Sequence, residues 1–161
     1  SSAAGHLACS LGVFWDNELV YDAIGRTPAQ IRPDGLILCY PVITGGEYAH
    51  VNSFKRLLGD DVTQEQRDAG SQENFVTEQT PRAFIWHTYT DENVPVENSL
   101  LLAAAMKRKN VNFELHIYPT GGHGLSLADE ETAGNGFQVV EQCQSWIPLV
   151  KMWLKHFEAS C

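Results

Sequence analysis

Positive charge is what this sequence has least of. Lysine and arginine number 11 against 20 aspartates and glutamates, a formal net charge of -9. Nucleic acids and anionic membrane surfaces are held through clustered Lys and Arg, so the balance argues against both as partners. Long apolar runs are also missing: none approaches the roughly 20 residues that a helix needs to cross a bilayer. Cysteine is sparse, and Cys9, Cys39, Cys143 and Cys161 show no C-x-x-C spacing, which speaks against a zinc site or a disulfide framework. Cys9 and Cys39 sit among apolar neighbours, so buried thiols in a reducing compartment, hence a cytoplasmic chain, are expected. There is neither an initiator Met nor a signal-peptide pattern. The expectation is therefore a C-terminal piece, with the N-terminal half of the domain and any targeting signal lying upstream.

At 161 residues, 43% hydrophobic and 19% charged, the chain reads as part of one globular domain spanning 1–161 that can bury a real core. Leu7, Ala8, Cys9, Leu11, Val13 and Phe14 line one side of an opening helix. A turn-rich connection through Gly25, Pro28 and Pro33 leads to Leu36–Val42, apolar at nearly every position, as in a strand buried on both faces of a parallel sheet. Residues 43–80 are polar and carry weak helical signals around Ser53–Leu58 and Asp61–Glu73. They read as an insertion over the sheet, either a lid or a solvated connector. Ala83–Tyr89 is a second buried strand. Pro95 opens a helix with an apolar arc of Leu100, Leu101, Ala103, Ala104 and Ala105 that closes on Lys107, Arg108 and Lys109, where the helix dipole favours cations. Phe113–Tyr118 alternates apolar and polar, which predicts a strand near the sheet edge. A last helix carries Trp146, Val150, Trp153 or Leu154, and Phe157 on one stripe, after a Ser145 cap. The whole is an α/β pattern, a mainly parallel sheet with flanking helices.

Chemistry concentrates in three places. Ser1-Ser2-Ala3-Ala4-Gly5 sets serines among very small residues at the head of a helix. That is what the strand-to-helix elbow of a nucleophile demands, because nothing larger fits the turn. With Ser2 in the G-x-S-x-G pattern, Ala4 stands where the last glycine belongs. The alternative is that Ser1 and Ser2 only cap the helix. In parallel sheets the functional groups sit just beyond the C-terminal strand ends. There the sequence offers Asp91, in Thr90–Pro95, and His123, in Pro119–Gly124 among glycines. Each alone is a common loop or cap residue, but together they give the chain order Ser, Asp, His of the α/β-hydrolase triad. Glu92 and Asp129 are the rival acids. His6, His50, His87, His116 and His156 are weaker candidates for the base.

The motifs carry a resemblance. Ser2-Ala3-Ala4-Gly5-His6-Leu7-Ala8 resembles the S-A-G-G-H-L-A elbow of the acetyl-xylan esterase-like branch of the α/β-hydrolases. His87 to Ser99 resembles that branch's H-T-x-x-D-x-x-V-P-x-x-N-S acid loop, and Phe113–Pro119 with Gly121–Leu125 its histidine loop. The departures are Ala4 in place of a glycine and the absence of the family's H-G-G-G-type loop and first strands. The resemblance implies the C-terminal part of an α/β-hydrolase fold and a serine esterase removing small acyl groups, acetyl above all, from carbohydrate or similar alcohols. It implies Ser2 as nucleophile, His123 as base, Asp91 as its orienting acid and the Ala3 N–H as one oxyanion donor. No metal or organic cofactor is called for; the partner is a small ester or acetylated sugar, and a homo-oligomer stays open. A prolyl-peptidase-like amidase is the alternative, as is an inert hydrolase-like scaffold.

Overall fold

A computed structural model of the chain describes residues 1–158, with side chains as far as His156. Cys161 and the side chain of Phe157 lie outside the described residues. The elements run α1 (Ser2–Phe14), α2 (Glu18–Ala23), α3 (Pro28–Ile31), β1 (Leu36–Cys39), α4 (Val51–Leu58) and α5 (Gln64–Ala69). A 3₁₀ turn (Gln72–Phe75) precedes β2 (Ala83–Thr88), α6 (Glu97–Arg108) and β3 (Phe113–Tyr118), and a second one (Gly136–Gln138) precedes α7 (Glu141–Gln144) and α8 (Trp146–Glu158).

The three strands form one parallel sheet in the order β1-β2-β3, in register Leu36–Ala83–Phe113. The pleat sends alternate residues to opposite faces. Leu36, Leu38, Ala83 and Ile85 pack with Cys9 and Val13 of α1 and with Leu102, Ala105 and Met106 of α6. Phe84 and Trp86 point the other way, into a cluster with Val150 and Trp153 of α8, Tyr40, Leu125 and Cys143. β2 is the middle strand and is buried at every position. Each large apolar side chain taken out of water there contributes about 1.5–3 kcal/mol.

Several expectations are corrected. β1 ends at Cys39 because Tyr40 takes φ 38, and Ile37 is 42% exposed, so the run is not buried on both faces: α8 covers Phe84, and nothing among the described residues covers Ile37 beside it to the same extent. In α1 the buried face is Gly5, Cys9, Gly12 and Val13; Leu7 and Leu11 face outward. The helix meets the sheet through glycines because large side chains do not fit: a Cβ on Gly12 would lie 2.6 Å from Leu36 Cδ1. In α6, Leu102 and Met106 are buried while Leu100 and Ala104 are exposed. On α8 it is Trp153, not Leu154, that enters the core. Ser145 does not cap α8 with its hydroxyl, which donates to the Gln142 carbonyl at 2.7 Å. β3 does lie at an edge of the described sheet.

Segment 43–80 is fastened by polar contacts. Asn98 Oδ1 accepts from the N–H groups of Ile43 and Thr44 at 2.8 and 3.0 Å, and Ser71 Oγ accepts from Gly45 at 2.9 Å. Gly45 lies so close to α5 that a Cβ there would sit 1.9 Å from the Arg67 carbonyl oxygen. Phe54, the one fully buried side chain of α4, meets the His6 ring edge-on at 5.6 Å.

Candidate active site

All three strands end at one rim, and the residues that follow them face the head of α1. Ser2 takes φ 51, the left-handed region that costs an ordinary L residue energy and is tolerated where surroundings over-determine it. Its carbonyl accepts from the Val42 N–H at 3.0 Å, which locks the elbow to the end of β1. The residue that permits this approach is Gly5: a Cβ there would stand 2.7 Å from Pro41 Cβ and 2.9 Å from its Cα. Ala4 is exposed, so an alanine at that position meets no obstacle among the described residues. The capping alternative fails at Ser1, whose side chain makes no cap hydrogen bond.

Ser2 Oγ lies 2.7 Å from His123 Nε2, and His123 Nδ1 lies 2.7 Å from Asp91 Oδ2. The carboxylate can only accept, so Nδ1 carries the hydrogen and Nε2 is left to accept from the Ser2 hydroxyl. The Asp91 side chain is fully buried, that of His123 17% exposed. Asp91 Oδ1 accepts from the N–H groups of Asn93 and Val94, both at 2.9 Å. Burial alone would raise the carboxyl; hydrogen bonds from His123, His87 and Val94 outweigh it and hold the group well below the usual carboxylate range. It therefore stands as a carboxylate at neutral pH.

The loops that carry these groups are tied together. Thr88 and Thr90 hydroxyls both donate to the Gly121 carbonyl, at 2.9 and 3.0 Å. Gly121, at φ 146, fits only as glycine, since a Cβ would come 2.8 Å from Thr88 Cγ2. The Tyr40 ring meets His123 edge-on at 5.2 Å, and its hydroxyl accepts from the Ser126 N–H at 3.0 Å. Ala3 occupies the first turn of α1, where no helical carbonyl can reach its N–H.

The rival groups are placed elsewhere. Asp129 accepts from Thr132, and Glu92 is exposed. His6 bonds the Gly70 carbonyl and His116 the Glu114 carboxylate. Two histidines that sequence reasoning set low nonetheless stand beside the site. His50, paired with Ser53 Oγ at 2.8 Å, is pushed below the ordinary imidazole range by burial and then by the proximity of His123. His87 is fully buried against Asp91. Its place in the H-T-x-x-D stretch was the available signal. Among the described residues no group of three or more His, Cys, Asp or Glu could hold a metal ion, and no helix is long and apolar enough to cross a membrane.

Known proteins resemble the chain in sequence and in fold. Residues 49–147 match the prolyl oligopeptidase family. Endo-1,4-beta-xylanase B of Butyrivibrio fibrisolvens is 43% identical over 134 residues, 81% of this chain and 20% of its own length. The acetylxylan esterase of Xylanibacter ruminicola is 32% identical over 131 residues, 78% of this chain and 25% of its own. Among solved structures, the acetyl ester-xyloside bifunctional hydrolase of Caldicellulosiruptor lactoaceticus superposes with a TM-score of 0.71 at 41% identity, over 93% of this chain and 54% of that one. The fold is thus that of the α/β-hydrolases, and the chain spans a quarter or less of these two curated relatives and about half of the solved one.

Proposed function

Because the chain belongs to the prolyl oligopeptidase family, we propose that Ser2, His123 and Asp91 are the triad of a serine carboxylic-ester hydrolase acting on small acyl esters of carbohydrates, acetyl above all. The observation that carries this is the unbroken line Ser2 Oγ–His123–Asp91, with both contacts at 2.7 Å. In this reading His123 Nε2 takes the hydroxyl proton as Ser2 Oγ bonds to the ester carbonyl carbon. The carbonyl π pair moves to the oxygen, which the Ala3 N–H meets at the head of α1. The tetrahedral adduct then collapses, the C–O bond to the sugar breaks, and the imidazolium returns its proton to the leaving alkoxide. Water, deprotonated by the same nitrogen, releases the acyl group as carboxylic acid and restores Ser2. Asp91 holds the imidazole in the Nδ1–H tautomer and offsets its transient charge. A second oxyanion donor is proposed to come from residues outside this sequence, since the solved relative is nearly twice as long. The acetyl and xylan preference is supported by what the relatives are named for.

The family name supports a second reading, an amidase or peptidase using the same three residues. Initial rates on acetyl esters and on aminoacyl amides separate the two, with esters expected to win. A fluorophosphonate probe followed by peptide mapping tests the triad itself: label is expected on Ser2 and abolished by His123→Ala. Label on another serine with Ser2 bare overturns the assignment.

A further inference from the structure

We propose that His87, held by Ser99, is a positioning residue that fixes Asp91 and tempers the pull of its carboxylate on His123. The inference rests on the triad reading above, and it concerns two side chains outside that triad. His87 leaves the body of β2 with no exposed surface, its neighbour across the sheet being the apolar Ile117. Its Nε2 faces two acceptors, the Val94 carbonyl at 2.9 Å and Asp91 Oδ2 at 3.3 Å. Neither can donate, so Nε2 must carry a hydrogen, shared between them. Its Nδ1 lies 2.8 Å from Ser99 Oγ on α6, and Ser99 is also fully buried. The ring is therefore gripped at both nitrogens by groups from two elements and cannot turn without leaving a buried polar atom unpaired.

Asp91 Oδ2 is consequently bracketed by two imidazoles, one at 2.7 Å that works and one at 3.3 Å that stays. The bracket has two effects. It stops the carboxylate from swinging as His123 moves between Ser2 and a leaving group, since Oδ1 is already held by two backbone N–H groups. It also spreads the carboxylate charge over four donors, which lessens its preference for a protonated His123. Besides these, the titratable groups facing His123 are Tyr40, ring to ring at 5.2 Å, and the nearby His50; neither donates to Asp91 in the structure.

The test uses two replacements that reach different distances. His87→Gln places a side-chain N–H near the original Nε2, whereas His87→Asn can still meet Ser99 but falls short of Asp91. Removing the donor leaves a more concentrated charge on Asp91, which favours the imidazolium. In the full protein carrying this sequence, His87→Asn is therefore expected to move the limiting limb of the kcat/KM profile on an acetyl ester upward by about half to one pH unit. It should lower kcat about tenfold with KM little changed. His87→Gln should retain the wild-type profile, and Ser99→Ala should shift it in the same direction by less. Melting curves are recorded for each variant. A cooperatively melting His87→Asn, or a folded Ser99→Ala if His87→Asn fails to fold, with the wild-type pH profile overturns the proposal. Absence of Ser2-dependent turnover in the wild type would instead count against the triad reading. In that event the proton NMR signal of the His123–Asp91 bridge decides for His87: it is expected to shift in His87→Asn, and an unchanged signal refutes the bracket.

Discussion

The strain at Ser2 can be measured apart from its chemistry. Ser2 opens α1 at φ 51 and donates to His123 at 2.7 Å. Ser2→Ala and Ser2→Gly both remove the hydroxyl, at a net cost of about 0.5–1.5 kcal/mol for the hydrogen bond. They differ only in the Cβ. Alanine keeps it in the left-handed region, where an L residue is held at about 1–2 kcal/mol above its relaxed state. Glycine releases that strain but loses about 0.5–1 kcal/mol more chain entropy on folding. The balance leaves Ser2→Gly more stable than Ser2→Ala by about 0–1.5 kcal/mol, centred on about 0.75 kcal/mol, and close to the wild type.

Urea unfolding followed by tryptophan fluorescence reads this difference directly, provided the three proteins share one m-value. The backbone bond from Val42 to the Ser2 carbonyl, 3.0 Å, is available to all three, so it cancels. At an interior helical position glycine would lose to alanine by about 1 kcal/mol, the opposite sign. A Ser2→Ala protein more stable than Ser2→Gly by about 1 kcal/mol would therefore show that the elbow is not strained and that its φ is an ordinary helical one.

Other perturbations follow from the same contacts. Gly5→Ala pushes a Cβ to 2.7 Å from Pro41 Cβ and 2.9 Å from its Cα and should destabilise by about 1–3 kcal/mol. Gly12→Ala meets only the end of the Leu36 side chain and should cost less; a reversed order in denaturant midpoints would contradict the account of how α1 seats. Asp91 is held below the ordinary carboxylate range, so the stability it supplies is full above its unfolded value of about 3.9 and drains away as the pH falls below it. The stability gap between the wild type and Asp91→Asn should narrow over that acid window, as measured by unfolding at a series of pH values. Burial pushes the Cys9 thiol up to about 12, which favours the neutral form in the folded state. That contribution is present below about pH 9 and is lost as the pH rises toward 12; Cys9 should accordingly stay silent to a disulfide reagent at pH 8 until the protein is unfolded.

What could be read from the sequence, and what could not, divides along physical lines. Ser2, Asp91 and His123 were visible because the features that place them are local: small residues at a sharp turn, a loop after an apolar run, glycines around a histidine. Parallel direction followed from apolar runs alternating with helices, and the edge place of β3 from its own alternation, whereas the strand order came only with the structure. Hydrophobic periodicity failed on α1, since it looks for large apolar residues, whereas the helix seats by backbone approach at Gly5 and Gly12 and leaves Leu7 and Leu11 outside. In 43–80 the weak helical signals did mark α4 and α5, but the contacts of Asn98, Ser71 and Gly45 that help fasten the segment lie outside any periodicity. His87 was ranked only as a weak base candidate, and its contact with Ser99, twelve residues away on another element, could not be read from the stretch around it. These misses share a cause. Ser2, Tyr40, Gly121 and Ser126 all take positive φ within or beside the strand-end loops, and such backbone persists only when its neighbours leave no alternative. The constraint is supplied by the glycine contacts under α1 and the polar pins of the loops, so the strained rim and the polar fastenings that escape periodicity are two sides of one arrangement.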